Sequence, residues 1–209
     1  MDDAGSLRER LVEVGVHLVL TEGTAALGLR EIARRAGVSH GAPRRYFPTH
    51  HSLLSAIARR GFADLEARFA AAMAGLTAPR EQLEVFAREY VGYALERRGM
   101  FELMFRHELL DSDRHGADEP RLRESTLPLF ERLTTLVARC RDEQRRDAGP
   151  PEDAAVTAAA FWANLHGIAQ LWAWGSLQLV LGTGGPPGAE RLDRLVAEAL
   201  DAHLGPVAR

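Results

Sequence analysis

Within residues 29–47, LREIARRAGVSHGAPRRYF, the order of small, apolar and turn-forming residues admits few backbones. Ala33 is small where two helices can cross closely, and Gly37 can take the positive φ that leaves a helix. Ile32, Ala36 and Val38 supply an apolar wedge between them, so the spacing predicts a helix-turn-helix. Ser39 is the expected cap of a second helix over 40–46, whose exposed side chains include His40, Arg44 and Arg45. A short helix ending in two arginines suits a DNA major groove, because guanidinium groups bind phosphates or fork onto guanine O6 and N7. A helical hairpin in an ordinary bundle uses the same small residues at its turn, so the flanks must decide between the two.

Before the motif, Leu7, Leu11, Val14, Leu18 and Val19 form one stripe of a first helix that Gly23 ends. After it, Pro48 and Thr49 break the chain ahead of a long helix over 50–73, with Leu53, Leu54, Ile57, Phe62, Leu65 and Phe69 as its apolar positions. A periodic helix carrying Leu83, Phe86, Ala87, Tyr90, Val91, Ala94 and Leu95 follows, closed by Gly99, and then a short apolar helix over 100–110. The segment 111–120, DSDRHGADEP, reads as an exposed loop. Leu129, Leu133, Leu136, Val137 and Cys140 mark another helix, with Pro128 near its start. A final helix carries Leu192, Leu195, Val196, Ala199 and Leu200 on one face, beyond a GTGGPPG turn. No strand alternation and no internal repeat interrupts this helical pattern.

The net charge of −3 is unevenly placed. Residues 1–60 hold nine Arg against six acidic residues, or +3, which leaves 17 against 23, or −6, for residues 61–209. The basic end is the end with the motif. All 26 basic residues are Arg, which excludes a Walker A loop, a pyridoxal Schiff base and any catalytic Lys. A lone Cys140 forms no intrachain disulfide, and MDDAGSLRER has no apolar signal core, so a cytoplasmic protein is expected. Residues 154–189 carry no charge, yet Thr157, Asn164, His166, Gln170, Ser176 and Gln178 are scattered along them. That favours a helix packed on a core and on a partner over one inserted in lipid.

Catalytic patterns are missing. None of the eight His has a Glu three places before it, the metalloprotease spacing fails after His107 and Glu108, and no G-x-S-x-G elbow occurs. No catalytic residue, metal or cofactor is expected. The stronger reading of the second half is a cavity lined by aromatics with a few polar groups to orient a guest. Its candidates are Trp162 and His166, one turn apart on one helix face, and, at lower grade, Phe86, Tyr90, Tyr93, Phe101, Met104 and Phe105. Phe161, Leu165, Ile168 and Trp172 mark the opposite side of that helix, and sequence leaves open which face meets the guest and which a partner chain.

Residues 1–60 resemble the DNA-binding domain of TetR/AcrR-family transcriptional regulators: a first amphipathic helix, the Gly23 turn, the REIARRAGVS core, a recognition helix ending at Phe47, and Leu53 and Leu54 opening a long helix. Residues 161–177, FWANLHGIAQLWAWGSL, resemble one subgroup's Trp, His, Gly signature, at Trp162, His166 and Gly167. The resemblance implies an all-α fold, with a three-helix DNA-binding domain over 1–52 and a larger ligand-binding and dimerisation domain over 53–209. It implies a homodimer paired through its last two helices, a pseudo-palindromic DNA operator, and a repressor released by a small hydrophobic ligand. The candidate DNA contacts are Arg30, Ser39, His40, Gly41, Ala42, Arg44, Arg45, Tyr46 and His50, with Arg44 and Arg45 leading.

Three positions depart from the family pattern. Gly28 stands where a Ser or Thr is usual, Arg44 replaces an aromatic, and His50 replaces a Lys. Histidine gains charge on mild acidification, so a His50 phosphate contact predicts operator affinity that rises from about pH 7.5 to about pH 6. Two other classes stay open: a sequence-indifferent DNA binder, and a helical small-molecule-binding or enzymatic bundle without specific DNA recognition.

Overall fold

The computed structural model describes residues 3–106, 122–144, 153–182 and 188–206, and every regular element among them is helical. The helices are α1 (Asp3–Glu22), α2 (Leu29–Arg35), α3 (His50–Ala72), α4 (Pro79–Glu96), α5 (Arg98–Met104), α6 (Arg123–Gln144), α7 (Ala154–Ala173), α8 (Ser176–Leu181) and α9 (Gly188–Leu204). Short 3₁₀ turns cover Thr24–Ala26 and Ala42–Arg45. The expected loop over 111–120 and most of the GTGGPPG turn lie outside the described residues, as does the end of the helix expected over 100–110. The chain forms two compact units, Met1–Asp64 with Arg97–Leu127, and Leu65–Glu96 with Pro128–Arg209.

In the first unit, Leu11 and Leu18 from α1, Ile32 and Ala33 from α2, Phe47, and Leu53 and Ile57 from α3 are fully buried. Burying each large apolar side chain stabilises the unit by about 1.5–3 kcal/mol. Gly37, at φ +69°, closes α2 in a Schellman arrangement: the Val38 N–H donates to the Ala33 carbonyl at 3.0 Å and the Gly37 N–H to that of Arg34 at 3.2 Å. A reciprocal box starts α3, where the Ser52 N–H donates to Thr49 Oγ1 at 3.0 Å and the Thr49 N–H to Ser52 Oγ at 3.3 Å.

Gly99 plays a different part from the helix closure expected of it. α4 has already ended at Glu96, and Gly99 lies in the first turn of α5, where a Cβ would stand 2.5 Å from the Val19 carbonyl oxygen of α1. The residue is small because two backbones meet there.

In the second unit, α7 packs on α4 and α9. Phe161, Leu165 and Ile168 are buried, which assigns that face of α7 to the unit's own core. Asp153 caps α7 by accepting from the Ala155 and Val156 N–H groups at 2.9 and 3.4 Å. Gly175, in the left-handed region, separates α7 from α8, and no helix among the described residues is long and apolar enough to cross a membrane. Arg80 ties the start of α4 to the end of α9, donating to the Asp201 carboxylate and, at 2.8 Å, to the Gly205 carbonyl.

Candidate nucleic-acid interface and ligand network

The segment following α2 is tighter than the helix expected over 40–46. Its bonds run from the Ala42 N–H to the Ser39 carbonyl, from Arg44 to Gly41 and from Tyr46 to Pro43, at 3.0 to 3.3 Å, and only Ala42–Arg45 forms a regular turn, of the 3₁₀ type. Pro43 explains this, since it has no N–H to continue an α-helical ladder and it follows the weak helix former Gly41. Ser39 contributes its carbonyl and not the side-chain cap expected of it, the turn having no side-chain cap. Pro43 and Phe47 are buried and anchor the segment, and the Arg8 guanidinium lies 5.0 Å from the Phe47 ring centre.

That anchoring leaves the candidate contacts outside. Ser39, His40, Gly41, Arg44 and Arg45 are exposed, Ala42 and Tyr46 are half-buried, and Arg30 on α2 and His50 at the start of α3 are exposed as well. The five arginines of residues 29–47 then divide by partner. Arg34 forks onto Glu31 at 2.6 and 2.9 Å, while Arg35 bridges Glu31 at 2.7 Å and Glu22 of α1 at 2.6 Å. The two guanidiniums hold the Glu31 carboxyl down at about 2, the Arg34 hydrogen bond foremost and that of Arg35 next. The side chains of Arg30, Arg44 and Arg45 make no hydrogen bond or ion pair among the described residues. Three exposed cations are therefore available to an anion, and two are committed to the scaffold.

At Gly28 the first helix of the motif starts from an extended residue with no side-chain cap, as the missing hydroxyl implies. His50 turns Nε2 onto the Leu27 carbonyl at 2.5 Å. A carbonyl only accepts, so that nitrogen carries the proton, and a phosphate contact would have to use Nδ1.

In the second unit, Trp162 and His166 meet Tyr90 of α4. The Trp162 indole N–H donates to the Tyr90 oxygen at 2.9 Å, and that oxygen lies 2.9 Å from His166 Nδ1. Indole is a donor only, so the Tyr90 oxygen accepts from Trp162, and the direction of its bond with His166 Nδ1 is set by the imidazole tautomer. Burial raises the Tyr90 phenol above its ordinary range and lowers His166, both of which keep this network neutral. Tyr90 stacks at 6.2 Å on Phe86, which in turn stacks at 4.5 Å on Phe69. Tyr93, fully buried, lies under the Arg68 guanidinium at 5.2 Å.

The remaining aromatic candidates belong elsewhere. Phe101, Met104 and Phe105 lie in the first unit, where Phe105 meets Phe62 edge-on at 5.5 Å and Phe101 at 4.8 Å. The expected ligand set thus falls into two clusters. Sequence reading passed over the Thr49–Ser52 box, Pro43 and the Asp153 cap, although each has a local signal: T-x-x-S, a Pro within the turn, and an Asp ahead of an alanine-rich run.

Residues 11–57 match the bacterial regulatory proteins, tetR family, and residues 83–199 match the tetracyclin repressor-like C-terminal domain. The chain belongs to the tetR family. The first match spans the segment from α1 to the start of α3, and the second runs from α4 into α9. The HTH-type transcriptional regulator BetI of Rhizobium meliloti is 35% identical over 81 residues, which are 39% of this chain and 40% of that regulator's length. A Rhodococcus sp. RHA1 protein of unknown function has the same fold at TM-score 0.73 and 30% identity, over 96% of this chain and 94% of its own. Thermus thermophilus FadR, a tetR-family transcriptional repressor solved in complex with lauroyl-CoA, shares the fold at TM-score 0.63 and 21% identity, over 97% and 96%.

Proposed function

We propose that this tetR-family chain is a homodimeric, sequence-specific transcriptional repressor released from its operator by a small hydrophobic ligand. Residues 1–52 read DNA and residues 53–209 bind the ligand and the second subunit. The observation that carries the reading is the contrast among arginines: Arg30, Arg44 and Arg45 stand exposed and unpaired around an anchored turn, while Arg34 and Arg35 are tied to Glu31 and Glu22. Arg44 and Arg45 face base edges or phosphates, Arg30 supports them, and His40, Tyr46 and the backbone of Ser39, Gly41 and Ala42 line the approach.

The ligand reading rests on Tyr90, Trp162 and His166, a neutral polar network with Phe86 stacked beside it, in the unit that holds the tetracyclin repressor-like domain. Tyr93 and, in the first unit, Phe101, Met104 and Phe105 are the remaining candidates for contact with the ligand. A ligand shifts the operator equilibrium only by its difference in affinity between the two spacings of the recognition turns. A second subunit is supported by apolar residues left exposed on α7, on α8 and at the junction between them, among them Val156, Leu171, Trp174, Leu179 and Val180.

Selection of bound duplexes from random DNA by the full chain, at low and at physiological salt, tests the reading. The expected product is a pseudo-palindrome with half-sites a whole number of turns apart, each turn about 34–36 Å. Binding that ignores sequence and follows salt alone would identify an indifferent DNA binder. No binding at either salt would leave a helical bundle without DNA recognition.

A further inference from the structure

Within the second unit, the end of α3, the start of α4 and the middle of α6 border a groove of about 510 Å³. Leu136 is buried at its floor, and Ala70 of α3 and Met73, just beyond that helix, form its apolar side. Arg132 and Arg139 stand two helical turns apart on α6, so their stems share one face. Among the described residues no carboxylate lines the groove, although residues 61–209 carry a net charge of −6. The Arg139 guanidinium is oriented by Thr77, whose carbonyl it meets at 3.2 Å, and by Gln82 Oε1 at 3.4 Å. The Arg132 side chain makes no hydrogen bond or ion pair among the described residues. Two cations over an apolar floor that a flexible Met can reshape match one kind of molecule, an anionic head on a short apolar body.

We propose that this groove binds an amphipathic anion, its carboxylate or phosphate between Arg132 and Arg139 and its apolar body on Met73 and Leu136. The volume falls within the range of about 300–1,000 Å³ usual for small-molecule sites. The groove shares no residue with the Tyr90 network, so the proposal stands apart from the operator reading and from the ligand reading.

Calorimetric titration of the full chain with octanoate, octyl phosphate and octanol, each below its aggregation limit, tests it. At least one of the two anions is expected to bind, and the tighter one identifies the head group. Octanol is expected to bind at least about tenfold more weakly, and Arg132→Gln to cost about tenfold in affinity. Arg132→Gln removes no bond the fold uses, and unchanged melting confirms that. Arg132 lies outside the Tyr90 network, so loss of binding in Arg132→Gln separates this groove from it. Three results overturn the proposal: neither anion binding at millimolar concentration, octanol binding as tightly as the anions, or Arg132→Gln combined with Arg139→Gln retaining wild-type affinity.

Discussion

The Arg34 side chain, although 65% exposed, is held by Glu31, whereas Arg44 is exposed and its side chain has no ion pair among the described residues. Alanine at Arg44 or Arg45 is therefore expected to weaken operator binding by about 1–3 kcal/mol. A base-reading arginine relaxes specificity at one position, and a phosphate contact lowers the salt slope by about one. Alanine at Arg34 is expected to change affinity little, since an exposed pair contributes on the order of 0–1 kcal/mol. Fluorescence anisotropy of a labelled operator across a salt series separates these outcomes. His166 titrates with consequences for folding: burial lowers its folded-state pKa below the ordinary 6.5. The unfolded chain then binds the proton more readily, so this contribution to stability is present above pH 6.5 and lost as the pH falls through the lowered value. Melting temperatures of wild type and His166→Gln at pH 7.5 and pH 5.5 are expected to differ in slope, wild type losing more.

At the scale of elements, the helices follow the apolar periodicity closely. The long helix expected over 50–73 is observed as His50–Ala72, with all six of its predicted apolar positions buried. The first helix stops at Glu22, just before Gly23, as expected. Local hydrogen bonding and side-chain pattern fix these features, and both are written in neighbouring residues. The recognition turn departs because one proline outweighs the caps and charges around it. Gly99 departs because a glycine that ends a helix and one that admits a second backbone have the same letter. Gly99→Ala is expected to destabilise the chain by about 1–3 kcal/mol, since the Val19 carbonyl that its Cβ would meet is backbone and yields little. Gly92→Ala, with nothing within 4 Å of the added carbon, is expected to stabilise α4 by about 0.5–1 kcal/mol. Paired thermal melts of the two variants measure both signs.

For the molecule as a whole, α8 has no buried residue, and Leu179 and Val180 are 84% and 82% exposed. Side chains of that kind gain most from a second surface. Leu179→Asp with Val180→Asp is expected to leave the melting of the subunit nearly unchanged and to shift it from dimer to monomer in analytical ultracentrifugation. An unaltered sedimentation coefficient would place the partner surface elsewhere on the molecule. The same experiment bears on operator binding, because reading two half-sites requires two turns at a fixed spacing.

The helical class, the helix-turn-helix, the apolar stripes and the identity of the exposed arginines follow from the order of residues, because each depends on groups a turn or two apart. Glu31 lies three and four places before Arg34 and Arg35, so those pairs are local, and tertiary structure alone gave Arg35 its second partner. Arg35 is fixed partly by Glu22 from another helix, and no local pattern announces that pair. It alone joined Tyr90 to Trp162 and His166, which lie 72 and 76 residues further along, and put Phe101, Met104 and Phe105 in a different unit. Periodicity states that a face is buried, while its partner is selected by the packing of helices distant in the chain.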